Sequence, residues 1–211
     1  YDARFLSERF AAEAARVLAS HGIRCMVSIS AIPTPALSHA VRHHGLGGAV
    51  NITASHNPAD YNGLKLSTEK GAPSPTDLTR AVEAKVAALA ASAHAATLAA
   101  PPPAKIPDEE ARLVEGADFR DIYLAQLESL VRFDVIAKAG VKLAVDPRWG
   151  AARGYYDEIL RRHRIPFKMI HDRRDVTFGS VGPDVSQKNL QELSQAVVSE
   201  GFTLGVACDG D

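Results

Sequence analysis

The stretch Gly48-Ala-Val-Asn-Ile-Thr-Ala-Ser-His-Asn-Pro58 joins a short apolar run to a polar loop. The run predicts a buried strand over residues 48–53, and Ser55 follows directly after that strand. Ser and Asn side chains bond to their own backbone in turns, so a capped turn accounts for these residues without any chemistry. A serine nucleophile would need a base or a metal beside it, and His56 and Lys65 are the nearby candidates. The local sequence alone favours the capped turn.

Helical and strand patterns alternate on both sides of this stretch. Amphipathic helices are predicted at residues 4–20, 35–44, 74–93, 119–131, 151–163 and 187–199. Short buried strands are predicted at residues 23–30, 63–67, 141–146, 167–171 and 202–208. Thr34-Pro35 is the N-cap and first-turn proline pairing that would open the second helix. The alternation predicts an α/β fold with two consecutive α/β/α layered domains and mixed, largely parallel sheets.

The composition shifts to alanine and proline between Ala95 and Pro107. Such a segment favours an extended, semi-rigid connection. We therefore expect one domain over residues 1–107, which carries the Ser55 loop, and a second over residues 108–211. Both ends look abrupt, and we expect a fragment truncated at the N-terminus of the first domain and at the C-terminus of the second.

The overall composition limits the possible partners. The 211 residues are 46% hydrophobic and carry a formal net charge of -1, which gives no reason to expect bulk attraction to nucleic acid or an anionic membrane. The chain has no uninterrupted apolar run of the ~18 residues that a membrane span requires. The two cysteines, Cys25 and Cys208, are too few for a disulfide framework and favour a reducing cytoplasm.

A pair of carboxylates follows the last predicted strand. Asp209-Gly-Asp211 comes directly after residues 202–208, at the carboxyl end of a strand, where α/β sheets usually bind ligands. Mg²⁺ prefers hard oxygen ligands and takes only a few of them from protein. An ordinary Asp-Gly turn explains the same residues equally well.

Three motifs, taken together and in this order, resemble the α-D-phosphohexomutase family of phosphoglucomutases and phosphomannomutases. They are Thr53-Ala-Ser-His-Asn-Pro58, Tyr61-Asn-Gly-Leu-Lys65 and Asp209-Gly-Asp211. Tyr1-Asp-Ala-Arg4 is also similar to that family's Gly-Tyr-Asp-x-Arg segment. The resemblance covers essentially the whole chain but only the first two of the family's four domains.

The resemblance implies a role for individual residues. Ser55 would be the serine that is phosphorylated and hands its phosphoryl group to a sugar phosphate. Asp209 and Asp211 would bind Mg²⁺ together with that phosphoserine. Lys65 would be a general acid/base and Arg4 an active-site arginine, and both could stabilise phosphoryl oxygens.

The resemblance also implies the function of a phosphohexomutase, an enzyme of the isomerase class. It would move phosphate between the 1 and 6 positions of glucose or mannose through a bisphosphorylated sugar, with a glucose 1,6-bisphosphate-type activator. His56 and Asn57 would shape the loop, with His56 counted among the catalytic residues. Because a third aspartate, the sugar-recognition loop and the C-terminal phosphate-binding domain are absent, we expect the chain alone to be weak or inactive without the missing C-terminal domains.

Three other functions fit parts of the same pattern. Phosphoglucosamine mutase is the alternative within the family, although Ala59-Asp-Tyr-Asn62 favours glucose or mannose phosphate mildly. A non-catalytic pair of phosphosugar-binding domains, or a phosphatase that passes the phosphoryl group to water, remains open. The other polar motifs are interpreted as structural: Asp146-Pro-Arg-Trp-Gly150 as a turn, His171 as a surface or helix-end residue and Arg173-Arg174 as solvated charges.

Overall fold

The computed structural model describes residues 1–91 and 111–211. In both parts helices alternate with short strands, which confirms the predicted α/β class. The predicted connection at residues 95–107, and the domain boundary after residue 107, lie outside the described residues. Within the described residues, no helix is long and apolar enough to cross a membrane.

The elements of the first part agree in type with the predicted ones. They are α1 (Ser7–Ser20), β1 (Cys25–Ser28), α2 (Thr34–His43), β2 (Gly48–Ile52), β3 (Leu64–Thr68) and α3 (Thr76–Ala91). The elements of the second part are β4 (Val114–Ala117), α4 (Arg120–Leu130), α5 (Phe133–Lys138), β5 (Leu143–Asp146), α6 (Tyr156–Arg162), β6 (Phe167–Met169), α7 (Gln191–Glu200) and β7 (Leu204–Ala207). A short 3₁₀ turn, Phe178–Ser180, precedes α7. Strand β4 and helix α5 were not predicted.

Strand β4 joins the first part of the chain rather than the second. It pairs in parallel with β1, with Cys25 opposite Val114. The four residues of β4 include a glutamate and a glycine, so they form no apolar run that could reveal a strand locally. The pairing is long-range, and it places residues 114–117 in one sheet with Cys25–Ser28.

The other sheets position two loops. Strands β2 and β3 are antiparallel, so the loop between them, residues 53–63, lies at one end of the pair. The second part has a parallel sheet in the order β6-β5-β7, with Asp146 opposite Ala207. Because parallel strands have their carboxyl ends at one edge, the segment after β5 lies beside residues 208–211, which follow β7 and are here called the acidic loop.

One hydrophobic core connects the two parts. Ile32, Ala36 and Ala40, from α2 and the segment before it, pack in the same buried cluster as Phe119 and Leu124. Full burial of a side chain such as Leu124 contributes about 1.5–3 kcal/mol. The shared core holds the β2–β3 loop and the acidic loop on one body.

An apolar cavity of about 420 Å³ is lined by residues of the first part of the chain together with Phe119. Its lining includes Ala14, Met26, Val50 and Leu66, and none of the predicted catalytic or metal-binding residues. The cavity is therefore separate from the site described next.

Candidate active site

The loop between β2 and β3 holds Ser55 in a tight turn. The amide of Asn57 donates to the carbonyl of Ala54 at 3.0 Å, and the amide of Ser55 donates to the Thr53 hydroxyl at 2.9 Å. Ser55 has a φ of 55°, in the left-handed region, which costs a residue other than glycine about 1–3 kcal/mol. The Ser55 hydroxyl donates to Oδ2 of Asp209 at 3.1 Å. The capped turn is thus present, and it brings the hydroxyl to the acidic loop.

Arg4 lies against this loop and is fully buried. Its Nε pairs with the Asp2 carboxylate at 3.0 Å. Its two terminal nitrogens donate, at 2.6 to 2.8 Å, to the carbonyls of Ser55, Asn57, Pro58 and Tyr61. These bonds use all five N–H donors of the guanidinium. The expectation that Arg4 stabilises phosphoryl oxygens directly is therefore corrected, since its donors hold the loop.

A buried polar network supports Arg4 from the other side. The Arg4 amide and the Ser7 hydroxyl both donate to Oδ1 of Asp2, at 3.0 and 2.9 Å. The side-chain amide of Asn62 in turn donates to the Ser7 hydroxyl at 2.9 Å. Because residues 2–4 are held in this network, α1 begins at Ser7 rather than at the predicted Arg4.

The acidic loop is held by the turn that follows β5. The Cys208 amide donates to the Asp146 carbonyl at 3.2 Å, and the Ala151 amide donates to the Gly210 carbonyl at 3.0 Å. A Cβ added at Gly150 would lie 2.8 Å from the Asp209 carbonyl oxygen, and one added at Gly210 would lie 3.2 Å from the Ser55 carbonyl oxygen. Glycines therefore permit the close approach of three segments at this point.

Lys65 and Asp211 form the second polar contact of the site. Lys65 Nζ lies 2.8 Å from Asp211 Oδ2, with the lysine side chain 47% exposed and the aspartate 6% exposed. The Thr34 hydroxyl donates to the same carboxylate oxygen at 3.2 Å and accepts from Asn51 Nδ2 at 3.1 Å. Thr34 was predicted to be the N-cap of α2, but Pro33 is at that position and the Thr34 hydroxyl faces the site.

The surroundings of Asp211 favour its charged form. Burial alone would raise the pKa of the Asp211 carboxyl, but the hydrogen bond and charge of Lys65 outweigh burial, and the Thr53 and Ser55 hydroxyls add to the lowering. The pKa of Asp211 therefore lies below its usual value, and the carboxylate is ionised at neutral pH.

The donor set at this point consists of hard oxygens. It contains the Ser55 hydroxyl and the carboxylates of Asp209 and Asp211, which suit Mg²⁺ in chemical type. Within residues 1–91 and 111–211, no cluster of three or more His, Cys, Asp or Glu side chains could hold a metal ion. The residues fit a cation that takes few protein ligands, with the serine oxygen as the third.

The side chains of Cys208 and His56 lie close in sequence to the site but form none of the site contacts described above. Burial, with the negative charges of Asp209 and Asp146, raises the pKa of the Cys208 thiol to about 12. That cysteine is therefore a neutral, partly buried residue at the end of β7. His56 is exposed, and its side chain makes no hydrogen bond within the described part of the chain. The structure thus brings together Ser55, Lys65, Asp209 and Asp211, with Arg4 behind the loop.

A second Asp-x-Arg corner was not recognised from the sequence. Asp146 accepts from the Arg148 amide at 2.8 Å, just as Asp2 accepts from the Arg4 amide. Arg148 is fully buried and donates to the carbonyls of Gly182 and Asn189 at 2.7 and 2.9 Å. The equal spacing of Asp2-Ala-Arg4 and Asp146-Pro-Arg148 was the available signal.

Two structural interpretations made from the sequence were wrong. His171 is neither an exposed surface residue nor at a helix end, because it follows β6, bonds to the Asp146 carboxylate at 3.0 Å and stacks on Trp149 with ring centroids 3.8 Å apart. Arg174 is not simply solvated, since it bonds to the Arg4 carbonyl at 3.3 Å and to the Glu8 carboxylate at 2.8 Å. Both side chains support the backbone around the two loops.

Comparison with known proteins identifies the family. Residues 1–93 match the model of "Phosphoglucomutase/phosphomannomutase, alpha/beta/alpha domain I", and residues 121–211 match the model of domain II. The chain therefore belongs to the phosphoglucomutase/phosphomannomutase family, the α-D-phosphohexomutases.

Individual relatives differ in the activity that they are named for. A phosphoglucosamine mutase of Corynebacterium aurimucosum is 29% identical over all 211 residues, which span 43% of that protein. A phosphoglucomutase of Staphylococcus saprophyticus is 51% identical over 71 residues, which are 34% of this chain and 13% of that protein. The crystal structure of a protein assigned as a phosphomannomutase, from Thermus thermophilus, superposes with a TM-score of 0.79 at 29% identity, covering 99% of this chain and 45% of that one. The chain spans less than half the length of each.

Proposed function

We propose that this chain is the phosphoryl-carrying and metal-binding half of a hexose-phosphate mutase. One observation carries the proposal: the Ser55 hydroxyl donates to Asp209 at 3.1 Å, beside the Lys65–Asp211 ion pair. These contacts place a hydroxyl that can accept a phosphoryl group beside two carboxylates and one ammonium group. Because the chain spans under half of its relatives, the activity of the whole protein is part of the proposal.

Ser55 would serve as the phosphoryl acceptor and donor. When a glucose 1,6-bisphosphate-type activator loads the serine, the bond from phosphorus to the sugar oxygen breaks and a bond from Ser55 Oγ to phosphorus forms. The hydroxyl proton of Ser55 passes to the departing sugar oxygen. Transfer of this phosphoryl group to a hexose phosphate reverses these steps at a different sugar hydroxyl.

The charges at the site require a cation. A phosphoserine carries about -1.5 to -2 charges near neutral pH, and two aspartates lie beside Ser55. Ser55, Asp209 and Asp211 would hold Mg²⁺, which supplies positive charge against this repulsion and draws electron density from the phosphoryl group.

Lys65 would handle the proton on the sugar side of the site. Its ammonium is half exposed and is fixed by Asp211 at 2.8 Å, so it can reach a bound ligand without losing its position. It would donate to, or accept from, the sugar hydroxyl as the phosphoryl group moves. Arg4 acts through the loop carbonyls and is a positioning residue, and His56 is proposed to shape the exposed side of the same loop.

The sugar is glucose or mannose in the first instance, and glucosamine phosphate is a second candidate. The second candidate is favoured by the phosphoglucosamine mutase of Corynebacterium aurimucosum, which matches this chain over its whole length. Rates measured with the complete protein on glucose 1-phosphate, mannose 1-phosphate and glucosamine 1-phosphate would decide between them. The two free cysteines agree with a reducing compartment, and we propose the cytoplasm.

The loading of Ser55 is the direct test. The chain is incubated with glucose 1,6-bisphosphate and Mg²⁺, and the intact mass is measured. One added phosphate on the wild type and none on Ser55→Ala supports the mutase. Sugar binding without any added mass would support a non-catalytic binding pair, and steady release of free phosphate would support a phosphatase.

A further inference from the structure

Residues 174–183, here called the bracing loop, connect β6 with the segment before α7. At one end of the loop, Arg174 reaches the first part of the chain. Its guanidinium donates to the Ala3 carbonyl at 3.4 Å and to the Arg4 carbonyl at 3.3 Å, and it pairs with Glu8 at 2.8 Å. The bracing loop therefore binds the backbone of residues 3–4, and the side chain of Arg4 holds the Ser55 loop.

Phe178 lies at the centre of the bracing loop and is fully buried. It packs in one cluster with Ala3 and Trp149, and the Arg4 guanidinium carbon lies 5.2 Å from its ring centroid. A cation over an aromatic face at this distance is attractive. Phe178 thus lies between Arg4, which holds the Ser55 loop, and Trp149, which belongs to the turn that holds the acidic loop.

The backbone of the bracing loop adopts unusual conformations to place this ring. Phe178 and Ser180 have φ values of 49° and 61°, in the left-handed region that residues other than glycine rarely adopt. At Gly179, between them, φ is 64°, and an added Cβ would lie 2.2 Å from Trp149 Cη2. Three consecutive residues of the loop thus have φ values in the left-handed region, directly against the Trp149 indole ring.

At its other end, the bracing loop meets the acidic loop. Arg148 donates to the Gly182 carbonyl at 2.7 Å, which fixes the end of the loop to the turn after β5. Pro183 then lies against Gly210, where an added Cβ would be 3.0 Å from Pro183 Cβ. Gly210 separates the two aspartates of the site, so a displacement of Pro183 would change the positions of both carboxylates.

We propose that the bracing loop sets the separation between Ser55 and the Asp209–Asp211 pair, with Phe178 as its positioning residue. The loop acts on one side through Arg4 and on the other through Arg148 and Pro183. Its importance for phosphoryl transfer rests on the proposed function, whereas its mechanical role does not. A misplacement of about 1 Å in reacting groups can cost about 100-fold in rate, so a small relaxation here has a measurable effect.

The test compares Phe178→Ala with Phe133→Ala. Phe133 is also a buried phenylalanine, and it stacks on His163 in the main core. Amide hydrogen exchange is measured by NMR at Asn57, which donates within the Ser55 turn, and at Cys208, which donates to the Asp146 carbonyl. We expect Phe178→Ala to accelerate exchange at both amides by about tenfold or more. We expect Phe133→Ala to change exchange at these two amides no more than at the other amides of the chain.

Faster exchange at only one of the two amides would overturn the proposal, as would equal effects of the two variants or no effect of either. If Phe178→Ala does not fold, Phe178→Leu is compared with Phe133→Leu by the same criteria. The rate of Ser55 loading from glucose 1,6-bisphosphate is measured in parallel and should fall at least about tenfold in Phe178→Ala. A wild-type chain that takes up no phosphate would contradict the proposed function, whereas the exchange measurement would still decide the role of the loop.

Discussion

Replacement of Arg4 by methionine should unfold the Ser55 loop and destabilise the whole chain. Arg4 and Asp2 are both fully buried and paired at 3.0 Å, and removal of one partner of such a pair costs about 3–5 kcal/mol. Four loop carbonyls also lose a charged donor, but they lie near exposed residues and can turn to water, so we add only about 1 kcal/mol for them. The expected loss in the free energy of unfolding is about 4–6 kcal/mol, against about 5–15 kcal/mol for a whole protein.

Urea unfolding followed by tryptophan fluorescence measures this loss, because Trp149 is the single tryptophan and is buried beside Phe178. The double variant Asp2→Asn, Arg4→Met also removes the unpaired buried carboxylate of Asp2, so its free energy of unfolding should be about 2 kcal/mol higher than that of Arg4→Met. The control is Arg161→Met, whose side chain is 60% exposed and whose ion pairs are worth about 1 kcal/mol or less. A loss of less than about 1 kcal/mol in Arg4→Met would refute the argument that this arginine holds the loop.

Three further outcomes follow from the structure. Lys65→Met should slow the loading of Ser55, and it should also lower the free energy of unfolding, because the Asp211 carboxylate is only 6% exposed and would lose its ion pair; an unchanged loading rate would contradict the proposed role of Lys65. Burial, with the charges of His43 and Arg42, lowers the pKa of His39 in the folded chain. Below the ordinary histidine pKa of about 6.5 the unfolded chain therefore binds more protons than the folded chain, and the free energy of unfolding should fall as the pH is lowered through that value. His39→Gln should flatten this pH dependence, and an identical slope in the variant would refute the expectation. Gly150→Ala should weaken Mn²⁺ binding measured by electron paramagnetic resonance, since its Cβ would lie 2.8 Å from the Asp209 carbonyl, whereas Gly47→Ala, which meets open space, should bind like the wild type.

The elements with strong local patterns could be predicted from the sequence. The apolar residues of β5 and β7 and the periodicity of α1 indicated the right type of element, although boundaries shifted by a few residues. Strand β4 could not be predicted, because Val114-Glu-Gly-Ala117 becomes a strand only through its pairing with β1 across the chain. Local patterns contain no information about such a partner.

The site shows the same division. The motifs, taken together and in order, indicated Ser55, Lys65, Asp209 and Asp211 through their resemblance to the family, whereas the local chemistry of each motif left a structural turn open. The orientation of the Arg4 side chain could not be predicted from the motifs, because it depends on the buried Asp2 and on four carbonyls that come together only in the folded chain. Thr34 and His171 were misjudged for a related reason: their partners, Asp211 and Asp146, are distant in sequence.

In the proposed function, Ser55 carries a phosphoryl group beside two metal-binding aspartates, Asp209 and Asp211. The most direct measurement is the intact mass of the chain after incubation with glucose 1,6-bisphosphate, with Mg²⁺ and with excess chelator. We expect one added phosphate, located on Ser55 by fragmentation, that requires Mg²⁺, is absent from Ser55→Ala and is strongly reduced in Asp209→Asn. A phosphate on another residue, or equal loading of folded Ser55→Ala, would contradict it.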